Sequence, residues 1–436
     1  MERIYTFISD LNGVLWGDFF IAAIFAACIY LSVKSGFVQL HIGALFRETF
    51  GSGSGGEGKK RFRAISTALA ASMGTGNIIG TAAALAVGGD GAVLWMIITA
   101  LFGMGAAYGE NYLGAEYRRK DKCSVPPMAY IKDIPFGRAA SGIYAAACIA
   151  AAYFMGNMIQ GNAVCKAASS AFSIDIHIAA AVFAVIGGIV ILGGTERIAS
   201  AAEKLIPFAS IAYILFSLAA IAVNADRLGE AAQSIIRGAF GLKAAAGGAA
   251  GYIIRTAVST GLRRGIFSNE AGMGSSVLVH AQCGCREPDS AGKWAACEVF
   301  IDTVICCTLT ALVLITSGAD YFSETAVSDA FSSIFGSVGQ LFVTFSVIIF
   351  AAASMLGWCC YGEIALKHFT DNDRMIYAYR LLHIVLLYVG GVSQMKLLWQ
   401  TADLCDWIMI TINMTAVLIL FQKNSHGGKQ MIVKSK

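Results

Sequence analysis

The chain has 436 residues, of which 57% are hydrophobic and only 14% charged, with a formal net charge of +4 and a mean hydropathy of +0.66. Soluble domains carry roughly a quarter charged residues, so this composition excludes a soluble enzyme and calls for a lipid surround. The basic residues cluster in loops between apolar stretches, where membrane topology explains them, and so give no case for nucleic-acid binding.

Stretches near the ~20 residues needed to cross the hydrocarbon core fall at 15–34, 64–88, 92–117, 139–168, 176–194, 203–223, 250–280, 294–317, 338–362, 377–393 and 399–421. The leader Met1–Asn12 holds Glu2, Arg3 and Asp10 and lacks a clear basic start or small-residue cleavage site, so the first span is expected to be retained rather than cleaved. An odd number of spans places the termini on opposite sides. Lys59, Lys60, Arg61, Arg63, Arg118, Arg119, Lys120, Lys132, Arg197, Lys367 and the tail lysines all fall on one side, whereas Arg3, Lys166, Arg227, Arg237, Lys243 and Lys396 fall on the other. Positive loops stay inside, which predicts a plasma (inner) membrane protein with its amino terminus outside and the tail 422–436 cytoplasmic. The glycine- and serine-rich run Gly51–Gly58 before Lys59 is expected to be a flexible connection ending at the cytoplasmic headgroups.

The second span, 64–88, is interrupted by Met73-Gly74-Thr75-Gly76-Asn77. Further on, 139–168 contains Gly156-Asn157-Met158-Ile159-Gln160-Gly161-Asn162, and Asn157 and Gln160, three apart, are expected to share a helix face. Two readings fit that amide pair, a ligand site or helix-to-helix glue. The seventh span, 250–280, is interrupted by Gly265-Ile266-Phe267-Ser268-Asn269-Glu270-Ala271-Gly272. With the first span set apart, ten remain, and the interruption falls in the first member of each set of five. Paired broken segments in matching places of two halves mark the inverted repeats of secondary transporters. The expected organisation is therefore one transmembrane domain over 1–421, with a peripheral helix at 15–34 and repeats at 64–223 and 250–421.

Unwound chain at membrane depth is tolerated only against protein or a water-filled cavity. Its freed N–H groups suit a carboxylate and its carbonyls a sodium ion or an ammonium. The alternative is that the glycines merely let helices cross closely, against which stand the polar side chains Thr75, Asn77, Ser268, Asn269 and Glu270 at mid-depth. In the ninth span, Ser354 and Trp358 are four apart and cover one surface, where the indole either walls a small cavity or fills a packing seam. Of the intramembrane acids, Glu110, Glu298 and Glu363 fall near span ends and need no burial. Glu270 and Asp302 lie deeper, and Arg264 is the expected partner of one of them in a structural ion pair, with a proton relay as the alternative reading. The 12 cysteines, including the adjacent pairs Cys306-Cys307 and Cys359-Cys360, suit neither a zinc site nor a disulfide framework. His280 is expected to be structural. No paired nucleophile and base and no soluble catalytic region stand out, which argues against a membrane enzyme, while a channel would need the same deep polar groups.

The runs Gly74-Thr75-Gly76-Asn77-Ile78, Leu101-Phe102-Gly103-Met104, Gly156-Asn157-Met158, Ala202-Glu203-Lys204-Leu205-Ile206-Pro207-Phe208, Gly265–Gly272 and Leu356-Gly357-Trp358 closely resemble the alanine or glycine:cation symporters, over residues 10 to 421. The resemblance implies an all-α polytopic fold of 11 transmembrane helices, one extra helix before a LeuT-like core of five plus five inverted helices with two discontinuous ones. It implies sodium-driven uptake of alanine, glycine or a similar small neutral amino acid, with protons or glutamine used by some relatives. Carried onto this chain, the substrate residues are Thr75, Gly76, Asn77, Gln160, Phe267, Ser268, Asn269 and Trp358, and the sodium ligands Ala71, Ser72 and Ser354. Relatives usually show a Ser-Thr pair where this chain has Ala353-Ser354.

Overall fold

The computed structural model describes residues 2–50, 69, 72–121, 125–241, 249–281 and 287–425, and these are all helix and connection, with no strand among them. In chain order the helices are α1 (Glu2–Leu15), α2 (Asp18–Lys34), α3 (Ile42–Phe50), α4 (Ile79–Gly88), α5 (Gly91–Lys120), α6 (Met128–Ile131), α7 (Gly137–Tyr153), α8 (Gln160–Phe172), α9 (Ile176–Ile191) and α10 (Thr195–Val223). The second half continues with α11 (Leu228–Ala239), α12 (Ala249–Asn269), α13 (Ser275–His280), α14 (Pro288–Val299), α15 (Thr308–Ser317), α16 (Ala326–Phe335), α17 (Ser337–Leu366), α18 (Asp373–Val392) and α19 (Met395–Ser425).

The expected spans meet helices among the described residues, except that the start of 64–88 lies outside them, and not every one is a single rod. Seven described helices are long and apolar enough to cross a membrane by themselves, and α1 with α2 forms a further pair bent by 52°. Ile79–Gly88 and Ile176–Ile191 are shorter apolar helices. The sequence pattern also passes over α1, α3, α11 and α16, short helices that lie in what reads as leader or loop.

Two of the long helices are not regular throughout. π-helical turns occupy Phe154–Ile159 between α7 and α8 and Phe300–Cys307 between α14 and α15. Such turns insert an extra residue, shift the facing of everything after them, and occur often at functional sites.

Small residues bring the helices together where lipid supplies no hydrophobic drive. A methyl on Gly105 of α5 would stand 2.6 Å from the Ser32 nitrogen of α2, and one on Gly261 of α12 would stand 3.0 Å from the Met96 nitrogen of α5. The helix set apart by the sequence reading is therefore packed hard onto the bundle. By contrast, α9 turns Ile178, Val182, Val185, Ile186 and Ile189 outward, and α18 does so with Leu381, Leu382, Val385 and Val389. Apolar exposure of this kind is what acyl chains solvate. The described cysteines are free and buried, as their apolar surroundings predict.

Candidate functional site

The first interruption is a local loss of α-helix with polar replacements for the missing ladder. Gly74 is extended at φ −117° and ψ −154°, and Thr75–Asn77 forms one 3-10 turn before α4 begins. The Thr75 N–H donates to Gln160 Oε1 at 3.2 Å, and the Thr81 hydroxyl donates to the Asn77 carbonyl at 3.0 Å. A methyl on Gly74 would lie 2.9 Å from Ser354 Oγ and 3.2 Å from Gln160 Oε1. The break thus touches α8 and α17 at once, and only a residue without Cβ fits there.

The second interruption runs through Glu270 to Gly274, with left-handed φ values of 57° at Glu270, 86° at Gly272 and 76° at Gly274. A non-glycine residue held there costs on the order of 1 kcal/mol or more, and Glu270 is held from both sides. Its Oε2 accepts from Ser275 Oγ at 2.5 Å and its Oε1 from Trp358 Nε1 at 2.9 Å. The freed N–H groups are received by a second carboxylate: Glu110 accepts from Gly274 N at 3.0 Å, Gly272 N at 3.4 Å and Asn413 Nδ2 at 2.7 Å. Asn413 Nδ2 also donates to the Gly272 carbonyl at 2.8 Å.

The two interruptions meet. A methyl on Gly76 would stand 3.3 Å from the Ser268 Cα and 3.5 Å from Phe267 Cδ1. Asp302, in the second π-helical turn, bridges them: it accepts from Asn77 Nδ2 at 2.7 Å and from Ser268 Oγ at 2.7 Å. Thr303 Oγ1 donates to the same carboxylate at 2.8 Å, and Asn269 Nδ2 donates to Thr303 Oγ1 at 3.0 Å. Asp302 is fully buried and its hydrogen-bond donors are all neutral. The Oδ1 of Asn77 and the Oγ1 of Thr75 are buried with no hydrogen-bond partner, so acceptor oxygens remain open beside the carboxylate.

Thr75, Gly76, Asn77, Gln160, Phe267, Ser268 and Asn269 are therefore brought into one region. Asn269 caps its own break, accepting from Ala271 N at 3.0 Å. Trp358 is fully buried, bonded to Glu270 and packed on Gly156, where a methyl would come within 2.1 Å of its Cβ. Ser72 donates to the Leu69 carbonyl at 3.4 Å, and Ser354 lies against Gly74 as described, while Ala71 falls outside the described residues.

Three expectations are corrected. Arg264 does not pair with Glu270 or Asp302: its Nη1 is 3.6 Å from Asp403 Oδ1, beside the 2.7 Å pair of Arg263 Nη2 with Asp403 Oδ2. Glu270 lies past the end of α12 with a left-handed φ of 57°, so the regular spacing that would align it with Arg264 does not carry through. Glu110, Glu298 and Glu363 are buried, because partners reach them: Glu298 has His280 at 2.9 Å, and Glu363 has Arg380 at 2.7 Å. Asn157 and Gln160 do not share a face. The π-helical turn separates them, and Asn157 Nδ2 donates across to the His383 carbonyl of α18 at 2.7 Å.

A cavity of about 520 Å³ lies at the end of the molecule carrying Lys166 and Glu324, and it reaches Ile78 and Ile79 of the first broken helix and Trp399 of α19. Apolar walls lead down to the first interrupted helix, which a buried acid bridges to the second, an arrangement that fits an all-helical membrane transporter. The chain belongs to the Sodium:alanine symporter family, whose profile matches residues 1–431. It is 32% identical to the sodium/alanine symporter AgcS of Methanococcus maripaludis, over 95% of this chain and 94% of that one. A probable sodium/glutamine symporter, GlnT of Bacillus subtilis, is 30% identical over 96% of this chain and 89% of its own length. An uncharacterized transporter of Haemophilus influenzae is 35% identical over 95% of this chain and 93% of that one.

Among solved structures, MhsT in complex with L-phenylalanine aligns with a TM-score of 0.63, at 14% identity, over 86% of this chain and 92% of that chain. A manganese transporter of Eremococcus coleocola aligns at 0.59, also at 14% identity, over 87% and 83%. Cargoes that different on one scaffold mean that these likenesses speak for the LeuT-like fold alone. Membership of the family carries cation-coupled amino-acid transport across a membrane.

Proposed function

We propose that the chain couples inward movement of sodium to uptake of a small neutral amino acid, alanine or glycine, by alternating access. The observation that carries this reading is the Asp302 bridge, which joins both interrupted helices through Asn77 and Ser268. A buried carboxylate met only by neutral donors supplies the negative charge that a sodium ion and a substrate ammonium require. Sodium would sit where the first break faces α17, between Ser72 and Ser354 with main-chain oxygens around Ala71, and would order the turn at Thr75–Asn77. The substrate carboxylate would then meet the Gly76 and Asn77 amides, with Phe267 limiting side-chain size.

The loop charges put the Lys166 end outside, so the cavity above Ile78 is the entry. Binding of both cargoes favours a state in which α12 and the first broken helix, leading the repeats 64–223 and 250–421, rock together against the rest. Proton coupling is the second reading, favoured by the same Asp302: a carboxylate whose donors are all neutral can hold a proton in place of a metal ion. Uptake of labelled alanine into proteoliposomes, with sodium and proton gradients imposed separately, decides between them. A sodium gradient alone is expected to drive accumulation. Accumulation driven equally by potassium, at any pH gradient, would remove sodium from the account.

A further inference from the structure

We propose that Trp399 is the barrier residue between the outer cavity and the substrate site, and that the Arg264–Asp403 pair positions it. The proposal rests on the transport reading above and deepens it. Trp399 lines the cavity that ends at Ile78, and its ring packs on Phe267 with centroids 4.4 Å apart. Phe267 in turn lies against Gly76 of the first break. The two aromatic rings therefore stand in series between the cavity and the residues joined by Asp302.

The indole has a second neighbour beside that contact. The Arg264 guanidinium lies 4.2 Å from the Trp399 centroid and 6.0 Å from that of Phe267, over the negative faces of both rings. Asp403 lies beside that guanidinium, with Arg264 Nη1 3.6 Å away, and is itself mostly buried, its hydrogen bond coming from Arg263 Nη2 at 2.7 Å. Trp399 and Asp403 are four residues apart on α19, so ring and carboxylate address Arg264 from one helix face. An indole that only anchors a helix at the headgroups turns its ring toward lipid. This one is turned inward, onto an arginine, a phenylalanine and a cavity. Opening requires the Trp399–Phe267 contact to break, and Arg264 holds the closed arrangement until the α12 and α19 faces separate.

The site carries its own reporter. The thiol of Cys307 lies 3.3 Å from Ser268 Oγ and 3.7 Å from Asn77 Nδ2, beyond the aromatic pair and buried. In proteoliposomes treated from the Lys166 side with a small membrane-impermeant methanethiosulfonate, labelling of Cys307 is read by peptide mass spectrometry. Trp399→Ala is expected to speed that labelling by about tenfold or more, as removing a gate does. Trp399→Phe, which keeps a ring on Phe267, is expected to stay within about twofold of the parent, and Arg264→Gln to fall between them. Cys359, fully buried in a separate cluster, remains unlabelled when the fold is intact.

If Trp399→Ala exposes Cys359 as well, that variant has lost its fold, and Trp399→Leu together with Arg264→Gln decide by the same Cys307 rate. Unchanged Cys307 labelling in folded Trp399→Ala, or in folded Trp399→Leu should the first unfold, overturns the barrier role. Because the readout is thiol access and needs no transport, failure of sodium-driven uptake in the parent protein would refute the proposed function separately.

Discussion

The two interrupted helices do the same thing by different means. The first, at Gly74–Asn77, is built from small neutral residues, and it meets a carboxylate only through the Asn77 side chain, its main chain being held by neutral bonds such as Thr75 N–H to Gln160. The second, at Glu270–Gly274, is gripped by two buried carboxylates, Glu110 and Glu270, and its amides are already satisfied. Unpaired acceptors occur at Thr75 and Asn77 in the first break. The contrast assigns the ligand-dependent ordering to the first break and a preformed frame to the second. Asp302 is where one is referred to the other.

The comparison breaks most severely at that bridge. Asp302→Ala removes the carboxylate that Asn77, Ser268 and Thr303 share and leaves the Asn77 amide only the carbonyl of residue 302 at 2.9 Å, where a buried polar group left unpaired costs about 1–3 kcal/mol; saturable uptake in proteoliposomes is expected to vanish. Asp302→Asn keeps the shape but removes the charge and one of the two acceptor oxygens, and is expected to transport only at raised sodium, seen as a larger half-saturating sodium concentration. Asn77→Ala is expected to abolish saturable uptake while membrane insertion, followed by expression and chromatography in detergent, stays intact; parental transport in that variant would sink its assigned role.

Glu110→Gln sharpens the contrast from the other side, because an amide offers one acceptor oxygen where the Gly272, Gly274 and Asn413 donors find two. A loss of about 1–3 kcal/mol is expected, read as a lower detergent melting temperature, with the half-saturating sodium concentration unchanged. Gly156→Ala overpacks against Trp358, whose Cβ would be 2.1 Å from the new methyl, and is expected to cost about 1–3 kcal/mol, read in the same melt. The smallest effect belongs to the rim pair Lys166–Glu324, exposed by 34% and 76%. Such pairs contribute at most about 1 kcal/mol, so Glu324→Gln is expected to leave uptake nearly unaltered.

The breaks were legible because glycine and polar side chains inside apolar runs have few structural uses at membrane depth. Thr75, Asn77, Ser268 and Asn269 follow from that argument, whereas Gln160 left two readings open until the family resemblance was added. Asp302 as the joining residue was not legible, since a π-helical turn aims it and no residue pattern announces one. The partner of Arg264 was misread for a related reason: depth in the membrane suggested Glu270 or Asp302, whereas pairing is decided by α19, which returns from the far end of the chain. Glu110 was placed by its position along a span, yet its burial comes from the second break packing onto α5. Trp399 carried no signal of its own, being one more aromatic near a span end.

Equilibrium binding of labelled alanine to the purified protein tests the central claim most directly, because it asks whether the two breaks form one cation-dependent site without requiring turnover. The account predicts saturable binding in sodium that is lost in potassium at the same pH and lost in sodium when Asp302 is replaced by alanine. Identical isotherms in sodium and potassium, or undiminished sodium-dependent binding in Asp302→Ala, would contradict it.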